Sequence, residues 1–441
     1  MTVTNAPVDT DGRNDAISPQ ARTALWASLV GTTIEWYDFF LYATAASLVF
    51  NHAFFPDQST FVGTLLSFAT FAVGFLVRPI GGFVFGHVGD RIGRKKTLAF
   101  TMLLMGGATA LMGVLPTAAQ IGVLAPILLL LLRIVQGFAL GGEWAGAVLL
   151  AVEHSPPRRR GLFGSIPQVG LALGLALGTG VFALLQVALP DDAFLTYGWR
   201  IAFLFSIVLV IFGVVVRLRA SETPAFERVR DSDSRAAVPL REVFTPPVLR
   251  STVLGMLSRW GEGAAFNTWG VFAIAYATST LKLDKVPVLI SVTAAALLMA
   301  VLLPVSGLLA DRFGAKRVYA TGIAAYAIAV FPTFALFGTR SIWLYALALL
   351  VVFGVIHALF YGAQGTLYAS LFPARIRYTG LSTVYQLSGV YASGLTPLIL
   401  TALIGAAGGS PWIACTYLAT TATISVVATL LLKPTPLRNL E

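Results

Sequence analysis

Long apolar runs alternate with short polar and basic stretches along the whole of the 441 residues. A helix needs about 20 apolar residues to cross the hydrocarbon core of a bilayer. On that criterion spans are predicted at roughly 22–50, 60–86, 97–117, 121–152, 161–189 and 199–219, and again at roughly 249–280, 286–309, 317–338, 341–370, 378–405 and 411–432. Between the two sets, 220–248 is polar and charged and holds Pro224, Pro239, Pro246 and Pro247, the composition of a linker. The expected organisation is an amino-terminal tail over 1–21, a six-helix bundle over 22–219, the linker over 220–248, a second six-helix bundle over 249–432 and a carboxyl-terminal tail over 433–441. The expected fold class is all-α integral membrane, with twelve transmembrane helices in two pseudo-symmetric six-helix bundles. The opening residues are polar and acidic without an apolar signal core, so the first span is expected to stay with the mature chain.

The two sets of spans repeat one another. Gly86-His-Val-Gly-Asp90-Arg91-Ile-Gly93-Arg94-Lys95-Lys96 follows the second span, and Gly307-Leu-Leu-Ala-Asp311-Arg312-Phe-Gly314-Ala-Lys316-Arg317 follows the eighth. Gly86 and Gly307, Asp90 and Asp311, Arg91 and Arg312, and Gly93 and Gly314 coincide at one fixed offset of about half the chain. A second pair of segments follows spans 4 and 10, where Pro156 and Arg160 match Pro373 and Arg377, and the acid Glu153 is replaced by Ser370. A repeat at fixed spacing is the mark of a duplicated bundle. In span 5, Gly170, Gly174 and Gly178 share one stripe, which predicts a tight seam with a neighbouring helix.

Composition fixes the class. Hydrophobic residues make up 57%, charged residues 11%, and mean hydropathy is +0.81, against roughly 25% charged in soluble domains. A net charge of +10 is carried in short clusters beside apolar spans, where anionic lipid headgroups, and not nucleic acid, are the expected partners. The lone Cys415 excludes a disulfide within the chain, and the four histidines are scattered, so neither a metal site nor a cofactor is expected. The basic residues outside the spans gather in the termini, in the linker and in the loops after spans 2, 4, 8 and 10. The opposite loops hold only Arg200, Lys282, Lys285 and Arg340. That asymmetry predicts cytoplasmic termini.

Charges inside a bilayer are costly and normally face a wet interior. Glu35 is predicted near the middle of span 1, with Asp38 one turn on, and Arg133 at similar depth in span 4. Glu35, Asp38 and Tyr42 share one helical face, as do Arg133, Gln136 and Glu143. Span 7 carries Arg259, Glu262 and Trp269, and span 10 carries His357, Tyr361, Gln364 and Tyr368 at steps of three and four. A fixed structural ion pair accounts for one acid and Arg133 but leaves the second carboxylate surplus, a site for reversible protonation. Arg259 and Glu262 can satisfy each other, and the span 10 stripe suits interhelical hydrogen bonds as well as a ligand.

Gly86 to Lys96 and its copy resemble the cytoplasmic loop signature of the major facilitator superfamily. Gly31-Thr-Thr-Ile-Glu35-Trp-Tyr-Asp38-Phe-Phe, Arg78-Pro-Ile-Gly-Gly, Arg133-Ile-Val-Gln136-Gly137, Gly141-Gly-Glu143-Trp144, Trp199-Arg200 and Glu222-Thr-Pro224 resemble the metabolite:proton symporter family. The resemblance implies two bundles around a central cavity, alternating access, and uptake of a small polar metabolite with protons. Substrates of similar proteins include citrate, 2-oxoglutarate, shikimate, proline and betaine. By position, Glu35, Asp38 and Arg133 would form the coupling group.

The expected function is therefore a proton-coupled symporter of a bacterial inner membrane, a monomer importing a small organic acid or zwitterion. Protonation of Glu35 or Asp38 would free Arg133 to meet a substrate carboxylate. Substrate contacts are expected from Arg133, Gln136, Tyr37, Tyr42, Gln168, Arg259, Glu262, Asn267, Trp269, His357, Tyr361, Gln364 and Tyr385. A cytoplasmic gate is expected from Asp90, Arg91, Arg94, Glu153, Glu222, Asp311 and Arg312, with Arg91 and Arg94 reaching Glu153 and Glu222. The rival readings are a metabolite-exporting antiporter with the same charges and a membrane sensor that binds without transporting. No nucleophile and base arrangement points to an enzyme.

Overall fold

The computed structural model describes residues 19–435 except 93, 154 and 220–241, with side chains omitted over 19–25, 27–28, 86–95, 142, 217–219, 247 and 375. Twelve helical rods run through the described residues, joined by short turns. In chain order they are α1 (Pro19–Leu48), α2 (Thr60–Ile92), α3 (Arg94–Val114), α4 (Leu124–Glu153), α5 (Arg160–Ala188), α6 (Trp199–Arg219), α7 (Pro246–Ser258 continued by Trp260–Asn267 and on to Thr280), α8 (Lys285–Phe313), α9 (Ala315–Gly338), α10 (Ile342–Ala369), α11 (Arg377–Ala406) and α12 (Trp412–Leu431). Ten of them are long and apolar enough to cross a membrane on length and composition alone. The other two, α1 and α7, carry buried carboxylates. Most of the expected linker lies outside the described residues.

Surfaces that face lipid are apolar, as Leu76, Ile80, Val208, Val301, Ile328 and Trp343 show by their exposure. Association between such helices rests on close backbone approach and not on hydrophobic burial, because lipid is as apolar as leucine. The α5 glycine stripe faces α1: a Cβ on Gly174 would lie 2.6 Å from the Cβ of Trp36, and one on Gly170 2.9 Å from the Cβ of Thr32. Where α2 crosses α4 the fit is tighter still, since a Cβ on Gly141 would stand 2.2 Å from the carbonyl oxygen of Arg78. That crossing sets Arg78 against α4 and turns its side chain inward.

Four rods are broken. A short 3-10 turn at Leu140–Gly142 interrupts α4, and π-helical turns occur at Thr268–Phe272 in α7, Leu350–His357 in α10 and Gly389–Gly394 in α11. Such turns shift side-chain register and concentrate at functional positions.

The two sets of six meet along two seams. The first runs the length of α5 and α8, from Gly161 and Gly307, where a Cβ on Gly161 would lie 2.4 Å from the Gly307 carbonyl, to Thr179 and Thr293, whose hydroxyls are 2.7 Å apart. The second joins α2 and α11, with Gly394 against the Phe75 ring and Gly405 against that of Phe61. Among the described residues, contacts between the two sets of six occur toward both ends of the interior.

Candidate functional site

At the end of the molecule that carries the repeated loops, here called the basic end, the two halves are tied by polar contacts. Asp311 at the end of α8 accepts from the backbone amides of Gly161 (2.5 Å) and Leu162 (2.9 Å), the exposed donors at the start of α5. Arg377 at the start of α11 pairs with Glu153 at the end of α4 at 3.2 Å and also donates to the Phe372 carbonyl. The sequence-based expectation joined Glu153 to Arg91 and Arg94, whereas the structure joins it to Arg377. Arg312 is exposed and lies 5.2 Å from the Phe313 ring. The side chains of Asp90, Arg91 and Arg94, and the whole of Glu222, lie outside the described residues.

One layer deeper, Trp144 of α4 stacks on Tyr385 of α11 with ring centroids 3.8 Å apart and planes 15° from parallel. Trp144 donates its indole N–H to Gln168 at 2.9 Å, and Gln386 donates to the carbonyl of Gly141. Beyond this layer lies a small central cavity, walled by Trp36, Phe39 and Phe40 of α1, Phe75 and Arg78 of α2, Leu171 of α5, Arg259, Glu262, Phe266 and Asn267 of α7, Tyr361 of α10, and Tyr385 and Ser393 of α11. Its far side is shut where Phe40 stacks on Phe266 at 5.2 Å and Ser47 donates to the Val271 carbonyl at 3.3 Å. A second cavity lies beside it toward the basic end, lined by Thr32, Glu35, Arg78, Glu143 and Trp144 among others. The enclosed space is thus built from both halves and plugged by one cross-half aromatic pair on each side.

Four nearly buried charges line these cavities, Glu35, Arg78, Arg259 and Glu262, and Asp38 is buried in α1 without lining either. Arg259 pairs with Glu262 at 3.3 Å, donates to Ser388 at 3.1 Å and covers the Tyr385 ring at 3.9 Å. Asp38 accepts from Ser206 of α6 at 2.5 Å. Arg133 is also buried, enclosed by the rings of Tyr42 (4.2 Å), Phe39 (4.4 Å) and Phe71 (4.9 Å). It donates to Gln136 and, at 3.4 Å, to the Phe71 carbonyl. Gln136 in turn donates to the backbone carbonyl of Asp38 and to Thr109. Arg133 is therefore joined through a glutamine to the backbone of Asp38, where the sequence suggested an ion pair with a carboxylate.

Comparison with known proteins accords with this architecture. Residues 23–248 match the family of sugar (and other) transporters, and residues 260–440 match the Major Facilitator Superfamily. An inner membrane metabolite transport protein, YhjE, of Escherichia coli strain K12 is 41% identical over 92% of this chain and 93% of its own. The shikimate transporter of the same organism is 39% identical over 94% and 95%. A glycine betaine/proline/ectoine/pipecolic acid transporter of Dickeya dadantii is 33% identical over 95% and 85%. The chain belongs to the major facilitator superfamily. A crystal structure of a D-xylose-proton symporter, 17% identical, superposes with a TM-score of 0.72 over 94% of this chain and 98% of that one, so the fold is the twelve-helix fold of the superfamily. This superfamily member is a transporter and not an enzyme.

The remaining expected substrate contacts divide into those at the cavity wall and those behind it. Arg259, Glu262, Asn267, Tyr361 and Tyr385 line the central cavity. Tyr37 donates to the Ala202 carbonyl, Tyr42 to Thr70, and Gln168 holds Trp144, so these three support the wall from behind. Trp269 packs on Tyr326, Phe334 and Phe337 inside the carboxyl-terminal half. The π turn beginning at Thr268 breaks the 3.6-residue register that placed Trp269 on one face with Arg259 and Glu262. His357 lies among the rings of Phe266, Phe353, Phe360 and Tyr361 with neither nitrogen hydrogen-bonded, and Gln364 likewise keeps both polar atoms unbonded to its neighbours.

Sequence reasoning assigned no role to Arg78, although it lines both cavities. The signal was present: a lone arginine inside an apolar run is costly unless used.

Proposed function

We propose that this protein is a proton-coupled symporter that carries a small organic acid or zwitterion across a bacterial inner membrane by alternating access, with both termini in the cytoplasm. The observation that carries the reading is the pair of adjoining cavities between the halves, the central one lined by Arg78, Arg259 and Glu262 and its neighbour by Arg78 and Glu35 of α1, with Asp38 buried one turn further along α1. The relatives named for metabolites, shikimate, proline and betaine support a polar organic cargo.

In the proposed cycle Glu35 and Asp38 take up and release the coupling proton. Arg133, joined through Gln136 to the backbone carbonyl of Asp38, lies against Phe39 of the cavity wall and Tyr42 behind it, so a shift of α1 on protonation moves both. Arg259, Glu262, Asn267, Tyr361 and Tyr385 bind the cargo from the carboxyl-terminal half, with His357 and Gln364 behind them. Parting of Trp144 from Tyr385 and of Asp311 from α5 opens the basic end, and parting of Phe40 from Phe266 opens the other. Exposed ties of the Glu153 and Arg377 kind are worth about 0.2–1 kcal/mol each, weak enough to break once per cycle.

The test is uptake into proteoliposomes with an imposed pH gradient. An acid that stabilises the purified protein in a thermal-shift screen should accumulate when the outside is acidic and should not accumulate when the gradient is reversed. Accumulation driven only by the reversed gradient would establish an antiporter in its place.

A further inference from the structure

We propose that Arg78 is the residue that receives the cargo's carboxylate, and that the central site selects a monoanionic carboxylate; this rests on the transport reading above and deepens it. Arg78 is 3% exposed, and its guanidinium sits 4.2 Å from the Phe39 ring, 4.3 Å from Phe75 and 5.2 Å from Trp36. The rings cover the faces of the cation. They leave its in-plane N–H groups unserved: Nε and Nη2 have no hydrogen-bond partner although both are buried. A guanidinium presents those edges as a planar fork that fits a carboxylate with two parallel bonds.

Charge around the central cavity decides the class of ligand. Its wall carries two guanidinium groups, Arg78 and Arg259, and one carboxylate, Glu262. Arg259 and Glu262 already face each other at 3.3 Å. One positive charge is left over, and geometry assigns it to Arg78. Glu35 and Glu143 line the neighbouring cavity on the other side of Arg78 and not the central one. A monoanion completes the balance, a dianion overshoots it, and a quaternary ammonium group meets the one uncompensated cation. Around the vacant edge of Arg78, Trp36, Phe40, Phe75, Phe266 and Tyr385 provide flat apolar walls for the body of the ligand.

Arg133, the arginine that sequence reasoning chose for this part, donates from Nη1 to Gln136 and from Nη2 to the Phe71 carbonyl. Its Nε is buried without a partner, but the residue lines neither cavity. Recognition of the anion therefore falls to α2 and not to α4.

The experiment measures ligand-induced thermal stabilisation of the full-length purified protein with four probes: shikimate and cyclohexanecarboxylate as monoanions, the methyl ester of shikimate as a neutral mimic, and 2-oxoglutarate as a dianion. For the wild type, at least one monoanion should bind tenfold or more tightly than both the ester and the dianion. Arg78→Gln should reduce monoanion affinity at least tenfold and erase the difference between acid and ester, while Arg78→Lys, which keeps the charge without the fork, should retain part of it. Failure of both monoanions to stabilise the wild type, or equal binding of acid and ester, would overturn the proposal. So would a monodisperse Arg78→Gln protein that keeps the wild-type preference. These outcomes are read at equilibrium without a proton gradient, so they are separate from a failure of proton coupling.

Discussion

The indole of Trp144 and the phenol of Tyr385 lie face to face, one from each half of the molecule, with 3.8 Å between their centres. Aromatic pairs of this kind contribute about 0.5–1.5 kcal/mol beyond their buried area, enough to bias a two-state gate without locking it. Replacing Trp144 with leucine is expected to open the basic end several-fold more often. The check is labelling of a Gln386→Cys probe by a membrane-impermeant thiol reagent in a Cys415→Ala background, where faster labelling is expected and an unchanged rate would refute the gate.

Asp311 and Glu153 both tie the halves at the same end, but they differ in strength. Asp311 satisfies two helix amino-terminal donors, and loss of such a cap costs about 0.5–2 kcal/mol. Glu153 is partly solvated in its pair with Arg377, so its loss should cost at most about 1 kcal/mol. Asp311→Ala should therefore raise labelling of the same probe more than Glu153→Gln does. The opposite order would show that the ion pair, and not the cap, holds this end shut.

Arg259 and Glu262 form a buried pair whose members depend on each other. Removing one partner of a buried pair costs about 3–5 kcal/mol because the other charge is left uncompensated. Glu262→Gln is expected to lower the unfolding midpoint sharply, and the double variant Arg259→Gln/Glu262→Gln to recover most of that loss while remaining inactive in transport. If the double variant is less stable than either single one, the pair is not the unit of stability inferred here.

Ser206 holds one carboxylate oxygen of Asp38 across the α1 and α6 interface. A buried acceptor left without its donor costs about 1–3 kcal/mol. Ser206→Ala should lower the unfolding midpoint, whereas Ser425→Ala, which removes a hydroxyl serving uncharged backbone groups of α7, should lower it less. Equal losses would argue that the charge on Asp38 adds nothing to this contact.

Helices and the duplication were legible because both depend on period and spacing, which a single sequence displays. The side chains of α7 near the cavity were partly legible: Arg259 and Glu262 sit on the expected face, but the π turn at Thr268 carries Trp269 elsewhere, and no residue type announces such a turn. Direct pairing of Arg133 with Asp38 looked natural from depth alone. Depth does not encode azimuth: Arg133 bonds Gln136, which reaches only the backbone carbonyl of Asp38, while the carboxylate takes Ser206 of α6. Arg78 was visible as a charge in an apolar run, yet its place at the wall depends on the close α2 and α4 crossing at Gly141, a tertiary fact.

Coupling of cargo movement to the acids of α1 is tested most directly with Asp38→Asn reconstituted in vesicles, using the acid that best stabilises the purified protein. Exchange of labelled for unlabelled cargo at equal pH on both sides should persist, whereas accumulation driven by an acidic exterior should be lost. Accumulation at the wild-type level in that variant would contradict the account.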